Sequence, residues 1–230
     1  MEDNRVVLIT GAKGGLGTFV TEAFLAAGDT VVGTSKSIQD SDFSHPRFVA
    51  MASDLTDAAS AARLVDCVIE RFQRVDVLVH VMGGFSGGQP IAETDDATWD
   101  RMMNLNLRSG FNIFRAAIPR MRAAGQGRII AIASRAAVEA ATNIAAYGAS
   151  KAALVSLVRA AALENKDRGL TVNAILPSTI DTEANRKADP GADFSRWVPP
   201  ANIADLVVFL SSEAAGQVTG AAIPIYGKEA

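Results

Sequence analysis

Short runs of β-branched and aliphatic residues recur along the chain, at positions 5–9, 30–33, 47–51, 75–81, 128–132 and 171–176. They are apolar with little alternation, the pattern of strands covered on both faces and hence of a parallel sheet. Between most of them lie stretches with helical spacing. Residues 16–27 follow the first run, and 57–71 follow the third behind a cap at Thr56 or Asp54. Residues 107–124 carry Leu107, Phe111, Phe114, Ile118 and Met121 on one face. Residues 145–165 are apolar around much of their circumference, which predicts contact with a second subunit as well as with the core. Strands alternating with helices predict an α/β fold, a single doubly wound parallel sheet.

Two stretches break the alternation. Residues 34–46 are short and polar, which argues against a full helix there. Residues 177–200 are long for an unstructured connection, the length expected of a lid. Within it, 183–200 combines Phe194 and Trp197 with Asn185, Arg186 and Lys187 between proline boundaries. That composition suits either a substrate lid or a permanently docked clasp. No repeat, linker or shift of composition divides the chain, so one domain over 1–230 is expected.

Composition narrows the function. A net charge of −3, with no basic run, argues against an electrostatic nucleic-acid binder. No stretch has the length and apolarity of a membrane span or signal peptide, and a single cysteine excludes an internal disulfide framework. A cytoplasmic protein acting on a small molecule is expected. Cys67, His45 and His80 offer no metal-ligand spacing.

Chemistry concentrates in two places. Thr10-Gly11-Ala12-Lys13-Gly14-Gly15-Leu16-Gly17 lies between the first strand and the first helix. Glycines there allow a tight turn and close approach of backbone to a pyrophosphate on the helix N-terminus. Lys13 faces either the phosphates or solvent. Farther on, Tyr147 and Lys151 stand one helical turn apart, so a cation lies near a phenol that can exchange a proton with a carbonyl or alcohol oxygen. That cation is expected to lower the pKa of the phenol.

The glycine spacing T-G-x-x-x-G-x-G and the Tyr-x-x-x-Lys pair resemble the short-chain dehydrogenases/reductases, and the resemblance runs nearly the full chain. It implies a Rossmann-type fold and an oxidoreductase moving a hydride between NAD(P) and a small carbonyl or alcohol. It further implies a homodimer or homotetramer. Ser134, thirteen positions before Tyr147, matches the family's substrate-binding serine, and Asn106 matches the asparagine that maintains a relay water. By the same resemblance Gly11, Lys13, Gly15, Leu16 and Gly17 take the pyrophosphate, and Asp54-Leu55 lies beside the adenine. Gly83 also contacts the cofactor, Pro177 and Thr182 line the nicotinamide side, and Lys151 also holds its ribose. Two positions depart. The usual Asn-Asn-Ala-Gly reads His80-Val81-Met82-Gly83, which takes polar anchors from the adenosine side and sets His80 at a strand end near the adenosine, and Ser178 replaces a glycine. Segment 176–200 and the run Gly83–Gly88 also resemble the dihydropteridine reductases, which makes pterin reduction a second reading. Those enzymes lack a serine where this chain has Ser134.

Cofactor choice is expected to favour NADP(H), with NAD(H) second. An acid that would hold a ribose 2′-hydroxyl is missing from the end of the second strand, where Ser35 and Lys36 stand instead. Other classes fit poorly. Gly84–Gly88 reads G-x-S-x-G, but both histidines precede Ser86 and Pro90 follows closely, against a hydrolase. A non-catalytic cofactor sensor on the same fold would be expected to lack Tyr147 or Lys151.

Overall fold

The computed structural model of the protein describes residues 4–229, so the ends of the expected domain 1–230 lie outside the described residues. Seven strands run parallel in one sheet: β1 (Val6–Thr10), β2 (Thr30–Thr34), β3 (Phe48–Ala50), β4 (Val77–His80), β5 (Gly127–Ile132), β6 (Leu170–Pro177) and β7 (Ala222–Ile225). Their order is β3-β2-β1-β4-β5-β6-β7. Strand order reverses between β1 and β4, and the crevice beyond the carboxyl ends of the strands there is where such sheets take ligands.

Alternate strand residues feed two cores. Val6, Leu8, Leu78, Ile129 and Val172 meet α2 (Ala58–Phe72), α4 (Ser109–Ala124) and α5 (Ala145–Asn165) on one face. Val7, Ile9, Val79, Ile130 and Ile175 meet α1 (Gly17–Ala26) and α7 (Pro200–Ser211) on the other. Side chains that alternate between two apolar layers explain the unbroken apolar runs. The opposite end of the sheet is pinned by ion pairs: Arg5 clasps Asp29 through two hydrogen bonds of 2.7 and 3.0 Å, and Arg74 clasps Asp76 at 2.8 Å.

The connections differ in places from the sequence expectation. Residues 34–46 form no helix beyond a single 3-10 turn, Asp40–Asp42, as expected. The helix expected over 107–124 begins earlier. It runs from α3 (Asp96–Met102) through a widened π-type turn, Met103–Arg108, into α4 without a break. Residues 177–200 hold α6 (Glu183–Ala188), and a bridge between Ile180 and Val198 closes the segment on itself. No described helix is long and apolar enough to cross a membrane.

Phe24 of α1 is fully buried between α1, α7 and the sheet, whereas Phe209 of α7 is half exposed. Phe24→Ala is expected to lower the unfolding free energy by about 3–5 kcal/mol in urea titration. Phe209→Ala is expected to change it by less than about 1 kcal/mol.

Candidate active site

The catalytic and cofactor candidates cluster beyond the carboxyl ends of the strands and in the helices and turns that follow them. Ser134 sits two residues beyond β5, and the first turn of α5 brings Tyr147 beside it. Burial pushes the Tyr147 phenol up from its ordinary value, while a hydrogen bond with the Ser134 hydroxyl opposes the rise. The expectation that Lys151 lowers this phenol is therefore corrected for the free protein. The Lys151 ammonium lies 6.0 Å from the centre of the tyrosine ring and donates to the Ile132 carbonyl at 2.9 Å. Burial alone brings Lys151 down to about 8.

Asn106, at the centre of the widened turn, is fully buried. Its oxygen accepts from the Gly84 amide at 2.8 Å, and its amide group donates to the Gly84 carbonyl and to Ser150 Oγ, each at 3.0 Å. Ser150 in turn donates to the Tyr147 carbonyl at 2.7 Å. The asparagine is thus a strut between the loop after β4 and the tyrosine helix. Both amide protons are committed, so only the oxygen's second lone pair is left for a relay water. Gly83 passes so close that a Cβ there would lie 2.8 Å from Asn106 Oδ1 and 3.1 Å from Lys151 Nζ.

The glycine loop provides a cradle. Gly11 has φ +69°, and a Cβ on Gly17 would lie 1.9 Å from the Gly11 carbonyl oxygen, so neither position accepts a side chain. Helix α1 begins with no side-chain cap and no acid in its first turn, which leaves its amide dipoles to an anion. Leu16 is buried and can offer only main chain to a ligand. Thr182 packs its methyl against Gly15 and caps α6 through Asn185 N at 3.3 Å. Pro177 closes β6 in register with Ile225 of β7.

At the end of β2 the Ser35 hydroxyl oxygen is buried without a hydrogen-bond partner. Lys36 pairs with Asp54 at 2.7 Å, and that contact is the main reason the Asp54 carboxyl falls to about 2. Lys13 donates to the Ser37 carbonyl at 2.8 Å and reaches Asp42 at 3.2 Å, so its ammonium faces the turn after β2. Leu55 lies in the core, and its carbonyl accepts from Asn112 at 2.9 Å. These groups fit a dinucleotide, with a glycine cradle for the diphosphate and, for the ribose end, an orphaned Ser35 hydroxyl next in sequence to Lys36.

The family model for the short chain dehydrogenases matches residues 5–193. The chain belongs to the short-chain dehydrogenase family. It is 32% identical to D-threitol dehydrogenase of Mycolicibacterium smegmatis, with 98% of this chain and 92% of that protein covered. It is 30% identical to the 3-oxoacyl-[acyl-carrier-protein] reductase FabG of Escherichia coli, over 98% of this chain and 97% of that one. Among solved structures, ElxO with NADP bound superimposes with a TM-score of 0.92 at 25% identity, covering 98% of each chain. As a short-chain dehydrogenase the protein is an NAD(P)-dependent oxidoreductase of carbonyl and alcohol substrates. Nothing in the geometry or in these relatives favours the pterin reading or a non-catalytic sensor.

In this short-chain dehydrogenase three of the four residues marked for a lid, Arg186, Phe194 and Trp197, form one cluster, and Asn185 is held separately. Arg186 binds Asp181 at 2.5 and 2.7 Å and lies 4.9 Å over the Phe194 ring, which packs at 4.8 Å on Trp197. Trp197 is buried, and Asn185 donates to the Ile180 carbonyl at 2.8 Å. Among the described residues, no hydrogen bond or ring contact joins these four to Tyr147 or Ser134. Sequence reasoning gave no role to Ser150, although it stands inside the Tyr-x-x-x-Lys turn itself.

His80, expected near the adenosine, is instead fully buried behind the site. Ser109 spends its proton on the Leu105 carbonyl at 2.6 Å, so at 3.4 Å it accepts from His80 Nε2. Thr10 Oγ1 accepts from the Met82 amide at 3.1 Å and donates to His80 Nδ1 at 2.9 Å. The ring is neutral: burial first, then the charge of Lys151, brings it down to about 3. Because the unfolded chain binds this proton from about pH 6.5 downward and the native protein does not, stability is present above pH 6.5. It is lost as pH falls toward 3, with a slope of up to about 1.4 kcal/mol per pH unit. His80→Asn is expected to flatten that part of the stability–pH curve, measured by urea denaturation between pH 7 and 4.

Proposed function

We propose that this short-chain dehydrogenase reduces a small carbonyl compound with NADPH, Tyr147 acting as general acid. The observation that carries the reading is the Tyr147–Ser134 pair in front of a buried Lys151 that donates to the Ile132 carbonyl. When bound, the nicotinamide supplies the hydride. Ser134 orients the substrate oxygen, and Tyr147 gives that oxygen its proton as the carbonyl carbon becomes tetrahedral. A phenol held above its ordinary value keeps its proton at neutral pH, the form that reduction needs. Lys151 offers its remaining protons to the ribose, and Asn106 holds the loop and helix that frame both. Tyr147→Phe is expected to bind NADPH within a few-fold of wild type and to lose turnover by about 10² or more. The wild-type reduction rate, followed by NADPH absorbance, is expected to hold through neutral pH and fall above about 8 as Lys151 gives up its charge.

NADPH is preferred on the strength of Ser35 and Lys36. Asp29, the acid near β2, stands at the wrong end of the strand and is bound to Arg5. The Lys36–Asp54 pair is exposed at 63% and 39%, and such pairs contribute about 0–1 kcal/mol, so a 2′-phosphate can capture the lysine. Lys36→Ala is expected to weaken NADPH by about tenfold and NADH by less than twofold, as read from dissociation constants in fluorescence titration.

The 183–200 segment serves as the substrate lid, a reading supported by its position beside the glycine loop through Thr182, with its far end anchored by buried Trp197 and the Ile180–Val198 bridge. The molecule assembles through α4 and α5, a reading supported by exposed Phe111, Leu163 and the neighbouring Trp99 of α3.

A further inference from the structure

Phe85 stands in the run Gly83-Gly84-Phe85-Ser86-Gly87-Gly88 after β4, and its side chain is 66% exposed. An exposed phenylalanine on a slack loop would carry no meaning. This one is mounted. On its amino side, Gly84 is held by two hydrogen bonds to Asn106, the strut of the site. On its carboxyl side, Ser86 Oγ accepts from Arg101 at 2.8 Å, and the Gly88 amide donates to the Asn143 carbonyl at 2.8 Å. The ring folds back over Gly87, where a Cβ would lie 3.0 Å from Phe85 Cζ and 2.7 Å from Ile144 Cγ2. It then stands edge-to-face on Tyr147, the ring centres 5.0 Å apart at 74°.

We infer that Phe85 is a specificity-determining residue, an apolar wall that selects carbonyl compounds carrying a flat ring. The inference rests on the carbonyl-reduction reading and deepens it. A substrate whose oxygen reaches Tyr147 and Ser134 brings the group attached to its carbonyl carbon into the space that the exposed ring borders. Covering that ring with another aromatic face removes apolar area from both, and the offset or edge-on pairing adds about 0.5–1.5 kcal/mol. A polyol would leave the ring wet and gain nothing from it. The rigid mount matters because the wall loses little conformational freedom when it is covered.

The test compares acetophenone and butanone, reduced with NADPH, with threitol, oxidised with NADP+, in wild type, Phe85→Ala and Phe85→Trp. The measurements are kcat, KM, and the dissociation constant of acetophenone from the enzyme–NADP complex by calorimetry. Wild type is expected to favour acetophenone. Phe85→Ala is expected to raise its KM and dissociation constant about tenfold with kcat within threefold, and Phe85→Trp to restore both. Butanone, too small to cover the ring, is expected to change less than threefold. Equal losses for acetophenone and butanone would make Phe85 a mere support for Tyr147 and overturn the inference, as would a wild-type preference for butanone or threitol. Absence of turnover for every carbonyl with both NADPH and NADH would instead overturn the carbonyl reading, and the inference with it.

Discussion

A lysine ammonium held out of water imposes conditions on everything around it. Among the described residues Lys151 meets one protein acceptor, the Ile132 carbonyl, so the end of β5 must stop where that oxygen is free to turn toward the helix. Its nearest loop residue must lack a side chain, because a Cβ on Gly83 would press on the ammonium. The nearest ionisable ring must stay uncharged, and the field of the lysine helps keep His80 so. A charge buried without a full partner is costly. It persists where a ligand completes its hydrogen bonds, and the ribose hydroxyls of a dinucleotide have the chemistry to do that.

The polar network around the lysine also joins elements far apart in the chain. Thr10 at the end of β1, His80 at the end of β4 and Ser109 at the head of α4 form one file of hydrogen bonds ending on the Leu105 carbonyl. Next to Leu105, Asn106 continues the connection through Ser150 to the backbone of Tyr147. The widened turn at Met103–Arg108 sits between the two files. π-type turns cluster at functional sites because the extra residue frees side chains and backbone from ordinary helical register. The glycine loop and the tyrosine helix are thereby linked through the interior.

Much of this was legible in the residues, for definite reasons. The sheet declared itself through apolar runs because both its faces are covered. The glycine loop and Tyr147–Lys151 were legible because close approach to an anion and phenol–ammonium proximity leave few residue choices. Strand β7 was not, since Ala222-Ile223-Pro224-Ile225 is short, half-buried and interrupted by a proline tolerated only at a sheet edge. Helix α7 had its signal, Pro200 at the first position and Ile203, Val207 and Leu210 on one face, hidden by a neighbouring stretch read as loop. The direction of the Tyr147 shift was illegible, because spacing along a helix places two groups on one face without saying how dry the space between them is. His80 misled for a similar reason: its position at a strand end says nothing about which way its ring turns.

The contact between Thr182 and Gly15 links two segments more than 160 positions apart. A Cβ at position 15 would stand 3.1 Å from the threonine methyl, a few tenths of an ångström too near. Serine at 182 would remove that methyl while keeping the hydroxyl that caps α6. That relieves one of the two close contacts, since the Cβ of residue 182, 3.2 Å from the added atom, remains in serine; alanine at 15 is therefore eased by serine at 182 but not made free. Position 182 is free to change first, whereas position 15 is held to glycine by the side chain already standing there, so the glycine loop is constrained by the segment that opens α6.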